Sequence, residues 1–261
     1  MTTSPDPLDF TSRTVLVTGG TKGVGRGIAE GFLRAGATVV ITARSAPSEP
    51  VAANGRVATF VAADLREPDQ AASAVNAAAN IGDGHLDAVV NNAGGSPSAD
   101  AATASPRFSE AILRLNLLAP LHVAQAANAI MQQQSDGGAI VSIGSVSGIR
   151  PSPGTAVYGA SKAGLIGLTQ SLAVEWAPKV RLNVLTAGYI RTEQAHLFYG
   201  DEDGMARVAA TVPMQRLATP VDIFDACLFL VSPMSSYITG ANLVIHGGGE
   251  RPGFLDAAGL E

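Results

Sequence analysis

The 261-residue sequence predicts one α/β domain built on a doubly wound parallel sheet of about seven strands. Three observations predict it: short β-branched runs alternate with longer alanine-rich helical runs, the strand-like runs carry few charges, and the length suits one large domain. Hydrophobic residues make up 46% and charged residues 15%, as in a compact globular protein. We expect the domain over residues 13–249, after a flexible N-terminus at 1–12 and before a tail at 250–261.

The predicted elements follow one another along the chain. The first half reads as strand TVLVTGG, helix GRGIAEGFLRAG, strands TVVITAR and GRVATFVAADL, helix DQAASAVNAAAN and strand LDAVVNNAG. The second half reads as a helix around FSEAILRLNLLAPLHVAQAANAIM, strand GAIVSIGS, the helix containing Tyr158, strand VRLNVLTAG, a helix ending near Phe229 and strand NLVIHGG. Right-handed crossovers then place helices on both faces of the sheet.

Composition argues against several classes of partner. The formal charge of −5 provides no basic field for nucleic acid or anionic lipid. No apolar run reaches the roughly 18 residues of a spanning helix, and the first residues lack a signal-peptide pattern, so we expect a cytoplasmic protein. The histidines show no paired ligand spacing, so no metal is expected, and the single cysteine, Cys227, reads as a buried structural thiol.

A glycine-rich segment follows the first predicted strand and opens the first helix. It reads TGGTKGVG, with Thr18, Gly19, Gly23 and Gly25. Glycines at this place let the backbone approach a pyrophosphate, whose charge is favourable at a helix N-terminus. Nucleotide binding is therefore preferred over a purely structural turn.

A second group of polar residues follows a later strand. Tyr158 and Lys162 are four residues apart on a predicted helix, so both side chains lie on one face. Ser145 ends the preceding strand and can converge with Tyr158 on one carbonyl oxygen. Taken alone, the pair could also be a packed tyrosine and a solvated lysine.

The motifs together resemble one family. Thr-Gly-x-x-x-Gly-x-Gly at 18–25, NNAG at 91–94, Ser145 and Tyr-x-x-x-Lys at 158–162 resemble the short-chain dehydrogenase/reductase family in its single-domain form. The similarity runs from about Arg13 to Gly249. The resemblance implies a Rossmann-type fold and hydride transfer between a nicotinamide and a carbonyl or secondary alcohol.

The resemblance also gives the catalytic candidates their roles. Tyr158 would supply a proton to the developing oxyanion while Ser145 donates a hydrogen bond to it. The Lys162 ammonium would lower the pKa of the phenol and, in the family, bonds the nicotinamide ribose. Asn116 matches a residue that holds a water for proton relay, although an asparagine bonded to its helix backbone is an alternative.

We expect NADP(H) as the cofactor. The second strand ends in Ala43 and Arg44, where NAD-preferring relatives carry an acid, and Lys22 adds a second cation. Two surface cations are the alternative interpretation. The contacts implied by the resemblance are Gly19, Thr21, Lys22, Gly23, Val24, Gly25, Arg44, Asp64, Leu65, Asn92, Ala93, Gly94, Tyr158, Lys162, Gly188, Ile190 and Thr192.

The substrate is predicted from the segments that should line its pocket. These offer Tyr189, Leu197, Phe198, Tyr199 and Met205, with Arg150 and His196 as polar contacts. The apolar set favours a moderately bulky apolar carbonyl compound, an alicyclic ketone or a 3-oxoacyl thioester. Apolar helix surfaces and the resemblance suggest a homotetramer or homodimer. A sugar-nucleotide epimerase or dehydratase and a non-catalytic nicotinamide-binding regulator are the alternative functions.

Overall fold

The computed structural model describes residues 6–259, apart from the side chain of Asp256. Residues 1–5 of the predicted N-terminus and 260–261 of the predicted tail lie outside the described residues. Within residues 6–259 the main sheet has seven strands: β1 Thr14–Thr18, β2 Thr38–Ala43, β3 Thr59–Ala62, β4 Ala88–Asn91, β5 Gly138–Ser145, β6 Val180–Ala187 and β7 Asn242–Ile245.

The strand order confirms the predicted fold class. Across the sheet the order is β3-β2-β1-β4-β5-β6-β7, and each neighbouring pair is parallel. The order changes direction between β1 and β4. Ligands of such sheets bind in the crevice that this reversal opens at the carboxyl ends of the strands.

Helices cover both faces of this sheet. In the described part of the chain they are α1 Gly23–Arg34, α2 Pro68–Ile81, α3 Pro106–Leu113, α4 Ala119–Met131, α5 Ala156–Trp176, α6 His196–Tyr199, α7 Glu202–Ala210, α8 Pro220–Val231 and α9 Gly253–Ala257. Side chains of α1 and α8 form one apolar core, and those of α2, α4 and α5 contribute to a second core on the other face. Within these residues, no helix combines the length and apolar character that crossing a membrane requires.

Two predicted elements are interrupted. The predicted strand GRVATFVAADL is divided, because Arg56–Val57 pairs antiparallel with Ala52–Ala53 and only β3 joins the main sheet. The predicted helix over 108–131 contains a π-helix, Arg114–Leu118, between α3 and α4. π-Helical turns often occur at functional sites, and this one carries Asn116.

The packed domain extends beyond both predicted boundaries. Phe10 is fully buried, its ring lies 5.5 Å from that of Phe32, and its backbone N–H donates to the Ala35 carbonyl. The prediction of a flexible segment is therefore wrong at Phe10, because burial of its ring in the core holds the segment in place. At the other end, Glu250 bonds Arg150 and Tyr189, so it belongs with the domain and not with a free tail.

Candidate active site

Ser145 and Tyr158 meet where β5 ends. Ser145 is the last residue of β5, and Tyr158 lies in the first turn of α5. Burial raises the pKa of the Tyr158 phenol, and a side-chain hydrogen bond with Ser145 opposes that rise. The phenol is therefore protonated at neutral pH and lies beside a second hydroxyl, an arrangement that can donate to a carbonyl oxygen.

Lys162 lies one turn further along α5. Its side chain is buried, its Nζ donates to the Ile143 carbonyl at 2.8 Å, and it lies 5.7 Å from the centre of the Tyr158 ring. Burial lowers the pKa of Lys162 to about 8. Burial of the phenol is the largest influence on the pKa of Tyr158, and the expectation that Lys162 lowers this pKa stays a prediction.

Asn116 is fully buried in the π-helix and links it to the segment after β4. Its Oδ1 accepts from the Gly95 N–H at 2.8 Å, and its Nδ2 donates to the Gly95 and Ile112 carbonyls. The Asn116 amide therefore bonds helix backbone, as in the alternative interpretation, and also fixes Gly95. A Cβ at Gly94 would lie 2.7 Å from Asn116 Oδ1 and 3.4 Å from Lys162 Nζ. Because there is no room for a side chain, this position requires glycine.

The glycine loop between β1 and α1 is closely packed against the end of β4. A Cβ at Gly25 would lie 2.3 Å from both the Asn92 amide nitrogen and the Gly19 carbonyl oxygen. The Thr18 hydroxyl accepts from the N–H groups of Asn92 and Ala93, both at 3.0 Å. At Gly25 the loop therefore has room only for backbone. Backbone beside the N-terminus of α1 is suited to binding a dinucleotide pyrophosphate.

An acidic residue from the second half of the chain reaches this loop. The Gly23 N–H, at the start of α1, donates to Glu193 Oε1 at 2.8 Å. Thr192 lies beside it, since its Cγ2 would be 4.0 Å from a Cβ at Gly23. The sequence analysis predicted Thr192 and missed Glu193, because nothing in the local sequence joins residues 170 positions apart.

The two cations predicted from the sequence lie in the loop between β1 and α1 and directly after β2. Lys22 and Arg44 are both exposed. Asp64, one of the predicted cofactor contacts, accepts from Arg66 Nε, and this bond lowers the pKa of the Asp64 carboxyl, with a smaller contribution from the Arg44 charge. The sequence analysis did not anticipate Arg66, although its spacing of two residues from Asp64 was visible.

The remaining predicted cofactor residues follow β1, β3 and β6. The Gly188 N–H donates to the Ile245 carbonyl, and a Cβ at Gly188 would lie 2.9 Å from His246. Ile190 forms a parallel bridge with Ala218. Thr21 and Val24 are half-buried, whereas Leu65 is buried against the second core.

A cavity of about 320 Å³ begins at Val146, the residue that follows Ser145. It is lined by Val146, Ile149, Arg150, Gly188, Tyr189, His246, Gly248, Gly249 and Glu250. The predicted contacts Tyr189 and Arg150 are therefore in its wall. Leu197 and Phe198 are about two-thirds exposed, and Met205 packs in a separate cluster.

The cavity contains a polar group that sequence reasoning missed in part. Arg150 Nη2 donates to Glu250 Oε1 at 2.5 Å and to the Tyr189 hydroxyl at 3.0 Å, and the Tyr189 hydroxyl donates to Glu250. The sequence analysis placed Glu250 in the tail. The run of three glycines before it, Gly247–Gly249, was the available signal that the chain turns back at this point.

Among residues 6–259, no group of three or more histidine, cysteine, aspartate or glutamate side chains could hold a metal ion. Cys227 is buried in the apolar core, and burial raises the pKa of its thiol. The cysteine therefore has the character of a core residue rather than a nucleophile.

The sheet order and the glycine loop define a Rossmann-type nucleotide-binding protein, and known proteins agree. A family model described as enoyl-(acyl carrier protein) reductase matches residues 19–250. Oxidoreductase UcpA of Escherichia coli K12 is 35% identical over 255 residues, covering 93% of this chain and 96% of UcpA.

Two solved structures have the same architecture. The aldohexose dehydrogenase AldT of Thermoplasma acidophilum is 30% identical with a TM-score of 0.84, covering 91% of this chain and 94% of that one. A structure from Beutenbergia cavernae with NADP bound at low occupancy is 34% identical with a TM-score of 0.85, covering 93% and 98% of the two chains. The chain belongs to the short-chain dehydrogenase/reductase family and is an oxidoreductase.

Proposed function

We propose that the protein is an NADP(H)-dependent ketoreductase whose catalytic residues are Asn116, Ser145, Tyr158 and Lys162. The observation that carries this proposal is the meeting of Ser145, Tyr158 and Lys162 at the carboxyl end of β5, beside the crevice that the glycine loop borders. Bound NADPH supplies the hydride in this chemistry. The chain's own residues then have to stabilise and protonate the oxygen of the substrate.

Each residue has a distinct part in that task. Ser145 donates a hydrogen bond to the carbonyl oxygen, and Tyr158 gives up its proton as negative charge develops there. The raised pKa of Tyr158 keeps the phenol protonated at neutral pH, as proton donation in the reductive direction requires. Lys162 would bond the nicotinamide ribose, and Asn116 would hold a water that returns the proton to Tyr158.

The preference for NADP(H) rests on charge. Arg44 and Lys22 are exposed at the end of the crevice where the adenine ribose would lie, and Ala43 leaves this position without a carboxylate. A guanidinium can bind a 2′-phosphate with two hydrogen bonds, and a lysine adds a point charge. The NADP in the Beutenbergia cavernae relative supports the same cofactor class.

The cavity supports a moderately bulky carbonyl substrate. Val146 and Ile149 give it an apolar side next to Ser145, and its volume of about 320 Å³ admits a ring or an acyl chain. An alicyclic ketone or a 3-oxoacyl thioester fits this side. The polar group of Arg150, Tyr189 and Glu250 at the other side calls for an oxygen-bearing substituent rather than a purely apolar compound.

Assembly and location complete the proposal. Val174 on α5 is 82% exposed, and Leu118 just before α4 and Tyr237 are also exposed, which supports pairing of these surfaces in a homotetramer or homodimer. We expect this assembly in the cytoplasm. Light scattering at micromolar concentration measures the assembly directly. A monomeric mass would contradict it.

The test of the proposed function is a screen of carbonyl compounds that follows NADPH absorbance at neutral pH. We expect turnover of alicyclic ketones or 3-oxoacyl thioesters by the parent protein. Tyr158→Phe should abolish turnover and leave NADPH binding largely intact, because the ring still packs but the proton donor is gone. Substantial activity in Tyr158→Phe would contradict the mechanism, and loss of NADPH binding would show that the variant is damaged elsewhere.

A further inference from the structure

We propose that Glu250 is a specificity-determining residue that excludes substrates carrying a free carboxylate and admits the corresponding uncharged ester or thioester. The inference rests on the proposed function, since it concerns the substrate of the same site. It starts from one fact: the cavity beside Ser145 already contains a carboxylate of the protein, bound to Arg150 and Tyr189.

The backbone before Glu250 is built to bring this side chain into the cavity. Gly247, Gly248 and Gly249 have φ values of +64°, +98° and +85°, a conformation that other residues rarely adopt. A Cβ would lie 2.7 Å from Val212 at Gly247 and 2.8 Å from Pro213 at Gly248. Because side chains are excluded at these positions, the segment runs close to the domain and places Glu250 at the cavity wall.

The partners of Glu250 fix its carboxylate there. Arg150 Nη2 donates to it at 2.5 Å, and the Tyr189 hydroxyl donates to the same oxygen. Burial and the hydrogen bond to Glu250 raise the pKa of Tyr189 to about 12, so the phenol remains a donor at any physiological pH. The Arg150 guanidinium also lies 5.9 Å from the centre of the Tyr189 ring, which holds it at this wall.

The charge of the group formed by Arg150, Tyr189 and Glu250 determines which substrates the cavity accepts. The single negative charge of Glu250 already neutralises the Arg150 guanidinium, so a substrate carboxylate would add an unbalanced charge beside Glu250. Like charges brought together at a binding site oppose association. An uncharged carbonyl oxygen meets no such repulsion and can accept from N–H groups of Arg150 that Glu250 leaves free.

The experiment compares two ketones that differ in this charge and in one ethyl group, and the comparison between protein variants separates the effect of the charge from that of size. Ethyl 4-oxocyclohexanecarboxylate and 4-oxocyclohexanecarboxylate are offered with NADPH to the parent protein and to Glu250→Gln, which keeps the size of the side chain. Glu202→Gln is the matched control, because Glu202 is paired with Arg191, is 71% exposed and lies outside the cavity wall. The quantity measured is the ratio of kcat/KM for the ester to kcat/KM for the acid.

We expect the parent protein and Glu202→Gln to favour the ester, and Glu250→Gln to lower the ratio roughly tenfold, because the Arg150 charge becomes available to the acid. NADPH affinity should be the same in all three proteins. An unchanged ratio in Glu250→Gln, or equal use of both ketones by the parent, would overturn the role of Glu250 while leaving the ketoreductase function intact. Reduction of neither ketone would count against both proposals.

Discussion

The glycine loop and the cavity beside Ser145 lie at the same edge of the sheet but are built differently. The loop runs from Thr18 to Gly25, and its glycine backbone packs against Asn92 and Ala93 of the segment after β4. The cavity is made of side chains from three distant segments, with Arg150 and Glu250 separated by 100 positions. The loop can therefore keep its function when its side chains are changed, whereas a single substitution can alter the wall of the cavity.

The largest expected effect concerns the proposed cofactor site at the end of β2. In the double variant Ala43→Asp, Arg44→Ala, the guanidinium is lost and a carboxylate stands beside the ribose. A charge-assisted contact contributes about 1.5–3 kcal/mol, or one to two factors of ten in affinity, so preference should move toward NADH by at least that much. The measurement is kcat/KM for both cofactors with one fixed ketone.

The exposed Arg107 of α3 provides the control for this swap. Arg107→Ala changes the net charge without touching the crevice, so its cofactor ratio should equal that of the parent. A parent that already prefers NADH, or a double variant with an unchanged ratio, would show that Arg44 is only a surface cation.

The same contrast explains what the sequence could predict. The seven strands and the glycine loop follow from periodicity and short-range spacing, and the structure has them at these positions. The roles of Ser145, Tyr158 and Lys162 come from the family resemblance and stay a prediction. The π-helix at Asn116 has no such local signal, because it depends on the Asn116 bonds to Gly95.

Contacts between distant segments escaped prediction for a related reason. The pairing of Glu250 with Arg150 depends on how β7 lies beside β6, which the sequence pattern does not report. The direction in which the pKa of Tyr158 shifts depends on burial at this site. The spacing of charged residues along α5 does not reveal burial. The sequence shows which side chains are present, but it does not show what surrounds each of them in the folded protein.

A smaller effect is expected at Lys162, which lies on α5 one turn after Tyr158. Burial lowers its pKa from 10.5 to about 8, so between these values the unfolded chain binds a proton that the folded protein does not. The contribution of Lys162 to stability therefore rises with pH from about 8 to 10.5, and at pH 7 its burial carries the full cost.

Lys162→Met should remove that rise and stabilise the cofactor-free protein at pH 7 by about 2 kcal/mol, after allowing for the lost bond to Ile143. Urea unfolding at pH 7 and pH 9.5, without cofactor, measures both effects. The NADPH affinity of the variant should fall, since Lys162 is proposed to bond the ribose. An unchanged pH dependence of unfolding would show that the lysine is hydrated in the folded protein.

The smallest effect is expected at Glu193, whose side chain connects the two regions. Glu193 belongs to the segment after β6, on the substrate side, yet its carboxylate accepts from the Gly23 N–H at the start of α1. A bound pyrophosphate needs the same N–H groups and the same end of the helix. If the cofactor binds as proposed, Glu193 has to leave this N–H before the cofactor is fully bound, and its charge opposes the approach of the phosphates.

Removing that charge should strengthen cofactor binding. A charge at a helix N-terminus contributes about 0.3–1 kcal/mol, so Glu193→Gln should lower the Kd for NADPH by about two- to fivefold. Fluorescence titration measures this Kd directly, with Glu202→Gln as a control that removes a nearby acid paired with Arg191 instead. The difference should shrink as ionic strength rises, since the contact is exposed. Weaker binding in Glu193→Gln would mean that the carboxylate supports the cofactor site by holding Thr192 over the loop, and the two regions would then cooperate rather than compete.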